Sequence, residues 1–152
     1  MPEIVLLDAG PLGLASGRAG SPTAHACRLW IRGLQARQVD VVVSEIADYE
    51  VRRELTRVRA IPSLRRLDEL VTIGGLLFAP VTTAEWRQAA VFWADARGRG
   101  FPTASQDALD ADVILAACAA TIGQPGDIVI VATTNVSHLA RYCDARLWTT
   151  IT

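Results

Sequence analysis

Several carboxylates of this chain stand beside apolar segments, where they could take part in chemistry. Asp8 directly follows the apolar residues 4–7, and Asp112 begins the segment DVILAACA, with Asp110 two positions earlier. Glu50 lies in a further segment, SEIADYEVRREL. Hard divalent cations such as Mg²⁺ take oxygen ligands, and such a cation can activate water and neutralise charge on a phosphoryl group. The acids therefore indicate metal-assisted phosphodiester chemistry.

Asp8 and Glu50 also have plainer structural interpretations. A Gly-Pro pair follows Asp8 closely, so its carboxylate could be only a turn device. Glu50 lies at the edge of an apolar helix face, and it could be an exposed residue paired with Arg53. Spacing alone leaves both interpretations open.

The aspartates before residue 113 could also have either a structural role or a role in a site. Asp107, Asp110 and Asp112 could serve a helix N-terminus, where carboxylates suit the macrodipole, and Asp107 is the better placed for capping. Three aspartates within six residues repel one another unless a cation or an arginine offsets them. On a helix, Asp110 and Asp112 point about 200° apart, so at most one of them shares the direction of Asp8.

Composition limits the classes of protein that fit. A chain of 152 residues suits one compact domain, so we expect a single domain over 1–152. Hydrophobic residues make up 51% and charged residues 20%, with a net charge of −1, which excludes a disordered chain and a basic nucleic-acid-coating protein.

The chain has no lysine, which excludes any mechanism that needs one. Its three cysteines are widely spaced and suggest neither a zinc site nor a disulfide framework. With no signal or membrane-spanning segment, we expect a cytoplasmic protein that does not associate with membranes.

The fold class follows from alternating patterns. Continuous apolar runs predict strands at residues 4–7, 41–43, 76–81, 127–134 and 146–150. Helical periodicity between them predicts helices that include residues 27–34, 47–58, 64–71, 86–93 and 108–122. This alternation predicts an α/β protein with a three-layer α/β/α domain and a parallel sheet of about five strands.

A parallel sheet also predicts which residues meet. Ligands of open parallel sheets bind at the carboxyl ends of the strands, near the point where the strand order reverses. Asp8 lies at the carboxyl end of the first strand, and Asn135 lies just beyond the fourth. We therefore expect these two side chains to be neighbours.

Four segments in this order resemble the PIN domain family, particularly the VapC-like toxins of prokaryotic toxin–antitoxin pairs. LLDAGPLG resembles the first motif and supplies Asp8, and SEIADYEVRREL resembles the second and supplies Glu50. DVILAACA resembles the third motif, with Asp112. ATTNVSHL is similar to the fourth, with Thr133 and Asn135.

The resemblance implies an endoribonuclease that depends on Mg²⁺ or Mn²⁺, with RNA as substrate, a small antitoxin protein as partner and a homodimer as the assembly. The carboxylates would hold the metal: Asp8, Glu50, Asp112 and, as a further candidate, Asp110, which could instead be a helix N-terminal charge. Asn135 and Thr133 would orient a water or the scissile phosphate. Many relatives carry aspartate in place of Asn135, so one or two metal ions are both open.

Arginines are the candidate substrate contacts. Residues 51–66 contain six arginines, and guanidinium groups suit phosphate oxygens. Arg53 and Arg57 share the Glu50 side of their helix, and we expect Arg97 and Arg99 in a glycine-containing loop before the Asp112 helix. For each single arginine, a solvated surface position is the alternative.

The histidines and tryptophans are given structural roles. His138 lies three residues beyond Asn135, and a surface or capping role is favoured over substrate contact. We expect all four tryptophans in the core, not as base-stacking platforms: Trp30, Trp86, Trp93 and Trp148.

Other protein classes fit less well. Haloacid-dehalogenase-like phosphatases and receiver domains need a lysine that this chain lacks. The remaining alternative is a PIN-like domain that binds RNA or a partner without cutting, and Asn135 is the feature that favours it.

Overall fold

One parallel sheet forms the centre of the molecule. A computed structural model describes residues 3–99 and 106–152, except for the side chains of residues 106–109. The strands are β1 Glu3–Leu7, β2 Asp40–Ser44, β3 Leu77–Ala79, β4 Ile128–Thr133 and β5 Ala145–Leu147. Their order in the sheet is β3-β2-β1-β4-β5, and every pair is parallel. The predicted parallel α/β architecture is confirmed.

Within the described residues, six α-helices connect the strands. They are α1 Ala9–Ala15, α2 Pro22–Ala36, α3 Glu45–Arg57, α4 Ile61–Thr72, α5 Thr83–Gly98 and α6 Gln106–Thr121. Short 3₁₀ helices follow β4 at Val136–His138 and β5 at Trp148–Thr150. Local sequence sets several boundaries, because Ser21 caps α2 ahead of Pro22, and Thr82 and Glu85 form a reciprocal capping box at the start of α5.

The sheet is covered on both faces, which explains its continuous apolar strands. On β1, Val5 and Leu7 pack into a core with residues of α1 to α4, such as Leu12 and Leu67. Ile4 and Leu6 point the other way and pack with residues of α5 and α6. The result is the expected three-layer α/β/α arrangement. Within the described residues, no helix is long and apolar enough to cross a membrane.

Helix α1 was not predicted from the sequence. The Gly-Pro pair after Asp8 indicated a turn, but Gly10 and Pro11 lie inside α1. Pro11 is the third residue of the helix, where the missing N–H needs no intrahelical partner, so proline is tolerated there. The third and fifth strands are shorter than predicted, and residues 148–150 form a 3₁₀ turn.

Two further expectations about α5 are wrong. Arg97 lies in its last turn and not in a loop, because the helix continues through Gly98, whereas Arg99 is the C-cap that follows it. Trp86 is 52% exposed and is not a core residue, whereas Trp30, Trp93 and Trp148 are half-buried and pack against the two cores.

Candidate active site

The site lies where the strand order reverses, between β1 and β4. Leu7 of β1 is paired with Ala132 of β4, and the Asp8 N–H donates to the carbonyl oxygen of Ala132 at 2.9 Å. This pairing places Asp8 next to Thr133 at the carboxyl edge of the sheet, with Asn135 just beyond. The structure therefore brings Asp8 and Thr133 together at this edge, as the sheet rule predicts, and Asn135 joins them through the hydrogen bond of its backbone N–H to Thr133.

Asp8 has two separate contacts, one for each carboxylate oxygen. Oδ1 accepts a hydrogen bond from the Ala9 N–H at 2.7 Å, so Asp8 is the N-cap of α1. Oδ2 accepts the hydroxyl proton of Thr133 at 2.6 Å, and the Thr133 side chain is fully buried. The carboxylate is thus both a local structural device and a member of the polar site.

A close approach of α1 to the end of β4 accompanies this arrangement. A Cβ atom added at Gly10 would lie 2.5 Å from Oγ1 of Thr134, far inside contact distance. Glycine at position 10 therefore allows α1 to begin immediately after Asp8 while lying against the β4 end.

Glu50 reaches the same region from α3. Its side chain is half-buried, so it is not the exposed helix residue of the plainer interpretation. Burial, together with the nearby charges of Asp8 and Asp112, raises the pKa of Glu50 to about 7, while Arg53 opposes this shift. These two contributions place the carboxylates of Asp8 and Asp112 near Glu50.

Asp112 enters from α6 and contacts a histidine. Burial, with a further contribution from Asp8, raises the pKa of Asp112 to about 6. Nδ1 of His138 lies 3.4 Å from Oδ2 of Asp112 and lowers that pKa. His138 is 28% exposed and contacts Asp112, a contact that the surface or capping role favoured from the sequence did not include. The only sequence signal for this contact is the position of His138 three residues after Asn135.

We call Asp8, Glu50 and Asp112 the acidic cluster. Among the residues that the structure describes, no three acidic, histidine or cysteine groups lie close enough to hold a metal ion directly. Mg²⁺ usually keeps several waters and is held through one or two carboxylates, so it does not need such a cage. The donor chemistry, three carboxylates with a hydroxyl and an amide nearby, fits a hydrated hard cation.

Asn135 is held by its neighbours. Its N–H donates to Oγ1 of Thr133 at 3.0 Å, and its Oδ1 accepts the hydroxyl proton of Ser137 at 2.9 Å. Sequence reasoning missed Ser137, although its spacing of two residues from Asn135 is typical of local side-chain bonding.

Asp110 lies apart from Asp112, as the helical angle predicts. It is exposed and lines a groove between α3, α5 and α6, together with Glu50. The capping role predicted for Asp107 falls on a side chain outside the described residues.

Of the four candidate arginines, Arg53 lies beside the acidic cluster. Its guanidinium lies 5.2 Å from the ring centroid of Tyr49, in the groove that Glu50 lines. The other three contact residues of their own helices: Arg57 binds Glu54, Arg97 lies over Trp93, and Arg99 binds Asp95.

Comparison with known proteins identifies the fold. No protein-family model and no curated protein sequence matches the chain. The structure is similar to VapBC2 from Rickettsia felis bound to a DNA fragment from their promoter, with a TM-score of 0.68, 12% identity and coverage of 95% of this chain and 98% of that one. FitAcB from Neisseria gonorrhoeae gives a TM-score of 0.68 at 18% identity, covering 97% and 99% of the two chains.

A third similar structure is VapC20 of Mycobacterium tuberculosis, described as a sarcin–ricin loop cleaving toxin. It gives a TM-score of 0.62 at 14% identity and covers 90% of this chain and 94% of that one. The predicted resemblance to VapC-like PIN domains is thus confirmed at the level of the fold. At these identities the likeness shows the fold alone.

Proposed function

We propose that this chain is an endoribonuclease of the PIN type that uses Mg²⁺ or Mn²⁺. The observation that carries the proposal is the acidic cluster, whose carboxylates come from the end of β1, from α3 and from α6, and in which burial and neighbouring negative charge raise the pKa values of Glu50 and Asp112. Gathering like charges in a half-buried site disfavours their ionised forms unless a cation offsets the repulsion. When bound, the divalent cation supplies activation of water and neutralisation of charge on the phosphoryl group.

The residues of the chain divide the work. Asp8, Glu50 and Asp112 hold the cation directly or through its waters, and Asp110 is a more distant candidate. Thr133 orients Asp8 through its hydroxyl, and His138 orients Asp112. Asn135, fixed by Thr133 and Ser137, is placed to orient a water or the scissile phosphate. The guanidinium of Arg53 suits a substrate phosphate.

The biological setting follows the same proposal. A toxin of a toxin–antitoxin pair would act in the cytoplasm on RNA, with a small antitoxin protein as partner and a homodimer as the assembly. The names of the similar structures support this setting, because one is a cleaving toxin and another is a complex bound to promoter DNA.

A second candidate function is binding of RNA or a protein partner without cleavage. Two observations favour it: the uncharged Asn135 at the sheet edge, and the lack of a closed ligand set among the described residues. An RNA cleavage assay distinguishes the nuclease from the protein that only binds.

The test is cleavage of structured and unstructured RNA by purified chain freed of any antitoxin, with Mg²⁺ or Mn²⁺ and with EDTA. Asp112→Asn keeps the side-chain shape but removes the charge, and we expect a loss of about 100-fold or more. Asp40→Asn is the matched control, because Asp40 is exposed at the opposite, amino end of β2. Survival of every RNA in the presence of wild-type protein and metal would leave binding as the better proposal.

A further inference from the structure

A groove lies directly beside the acidic cluster, between α3, α5 and α6. We call it the side groove; its volume is about 660 Å³, within the range of about 300–1,000 Å³ that is typical of ligand sites. Glu50 belongs both to the acidic cluster and to the wall of the side groove. Anything held in the groove is therefore adjacent to the site of the proposed chemistry.

Two large aromatic side chains line the side groove and remain exposed. Trp86 is 52% exposed and Tyr49 is 55% exposed, whereas Ile46 and Ile114 of the same wall are buried. An exposed aromatic face above an apolar floor is a stacking surface, and bases stack on such faces whatever their sequence. Tryptophan has the largest face available for this purpose.

The charges of the side groove favour a base over a phosphate. Glu50 and Asp110 would repel a phosphate inside the groove, but their oxygens can accept hydrogen bonds from exocyclic amino groups of bases. Arg53 lies over Tyr49 and lines both the side groove and a second groove between α1 and α3. A nucleic-acid strand crossing Glu50 would present its phosphates to this guanidinium.

We propose that the side groove is a subsite for one unpaired nucleobase, stacked on Trp86 and adjacent to the cleaved phosphodiester. The inference rests on the proposed function in placing that phosphodiester at the acidic cluster. Bases that carry an exocyclic amino group, which are adenine, cytosine and guanine but not uracil, fit the acidic wall. A base within a duplex is already stacked and paired, so the groove selects single-stranded RNA.

Binding tests the subsite independently of cleavage. In an Asp112→Asn background with Mg²⁺, the anisotropy of a short fluorescent RNA gives its affinity in single-stranded and duplex form. We expect Trp86→Ala to weaken binding of the single strand by about 10-fold, because loss of a base stack has an effect of this order. Trp86→Phe should retain most of the affinity. Val91→Ala is the matched control, since Val91 is 60% exposed on α5 and does not line the side groove.

Each outcome of the binding experiment either supports or overturns the nucleobase subsite. Equal affinity of the Trp86→Ala variant and its parent, with circular dichroism showing that both are folded, would overturn the subsite, as would equal binding of duplex and single strand. If Trp86→Ala separates a dimer in sedimentation while RNA affinity stays unchanged, the groove is an interface between copies and the subsite is wrong. Trp86-dependent binding by a chain that never cleaves supports the subsite and contradicts the nuclease. Cleavage by a chain whose RNA binding does not depend on Trp86 supports the nuclease and overturns the subsite.

Discussion

The hydroxyl of Thr133 donates to Oδ2 of Asp8 at 2.6 Å and so joins the ends of β4 and β1 at the acidic cluster. The same hydroxyl oxygen accepts the Asn135 N–H at 3.0 Å. Because Thr133 is fully buried, one shielded side chain sets the orientation of a candidate ligand and of the residue beyond the strand.

Replacing that hydroxyl tests its importance. Thr133→Val keeps the shape but leaves the Asn135 N–H without its acceptor, and we expect the free energy of unfolding to fall by about 1–3 kcal/mol. RNA cleavage should fall by about 10-fold or more, as when other groups that orient metal ligands are removed. Chemical denaturation and initial cleavage rates measure the two effects. Thr133→Ser, which keeps the hydroxyl, is the control; a Val variant as active as the Ser variant would contradict the role.

The raised pKa of Glu50 predicts how stability changes with pH. The pKa of Glu50 in the folded chain is about 7, above its ordinary value of 4.5, so the folded state favours the protonated form. The contribution of Glu50 to the free energy of unfolding of metal-free protein is therefore full below the ordinary value and is lost as the pH rises through about 7. Denaturation in EDTA across this pH range measures the loss.

Glu50→Gln supplies the control for this pH effect. Its free energy of unfolding should vary less over the same range, and Mg²⁺ should stabilise the wild type more at high pH, where the carboxylates are ionised. Identical pH slopes for the variant and the wild type would show that Glu50 is not the group responsible.

His138 should control the acid side of the pH–rate profile. Because His138 lowers the pKa of Asp112, His138→Gln should move the acid limb of cleavage to higher pH. The measurement is kcat/KM against pH for the wild type and the variant. His25→Gln is the matched control, since His25 is the other histidine and is exposed on α2. An acid limb that stays in place in His138→Gln would contradict the contact.

Gly10 should not tolerate a side chain, because the start of α1 lies close to Thr134. Gly10→Ala would bring Cβ against Thr134, and overpacking of this kind costs about 1–3 kcal/mol in the free energy of unfolding. Thr134→Ala in the same chain removes the two nearest obstructing atoms, Oγ1 and Cγ2, and should restore most of the loss. Gly33→Ala is the control, because nothing lies near its Cβ position. Failure of Thr134→Ala to rescue Gly10→Ala would place the strain elsewhere.

The placement of Asp8 beside Thr133 could be predicted from the sequence because parallel strands end at a common edge. Asp8 directly follows one apolar strand and Thr133 ends another, so the parallel pairing of these two strands is enough to bring them together. Helix α1 could not be predicted, because Gly10 and Pro11 are turn formers whose tolerance at the first turn of a helix depends on the preceding cap.

Other predictions failed because the periodicity of a sequence does not show how closely neighbouring elements pack against a helix face. The spacing of Trp86, Ala89 and Trp93 identifies one helix face, but not how much of that face its neighbours cover. Ala89 is buried while Trp86 is exposed in the side groove. Likewise, no pattern in the sequence joins His138 to Asp112, since the contact depends on how the 3₁₀ helix after β4 faces α6.

The two contacts of Asp8 determine how an inactive form of this protein should be made. Alanine at position 8 would remove the charge and also free the Ala9 N–H at the start of α1, so a lost activity could be a lost helix. Asparagine keeps an oxygen for the cap while removing the negative charge. Asp8→Asn is therefore the substitution that separates chemistry from folding, and it is the form in which an inactive chain should be produced intact.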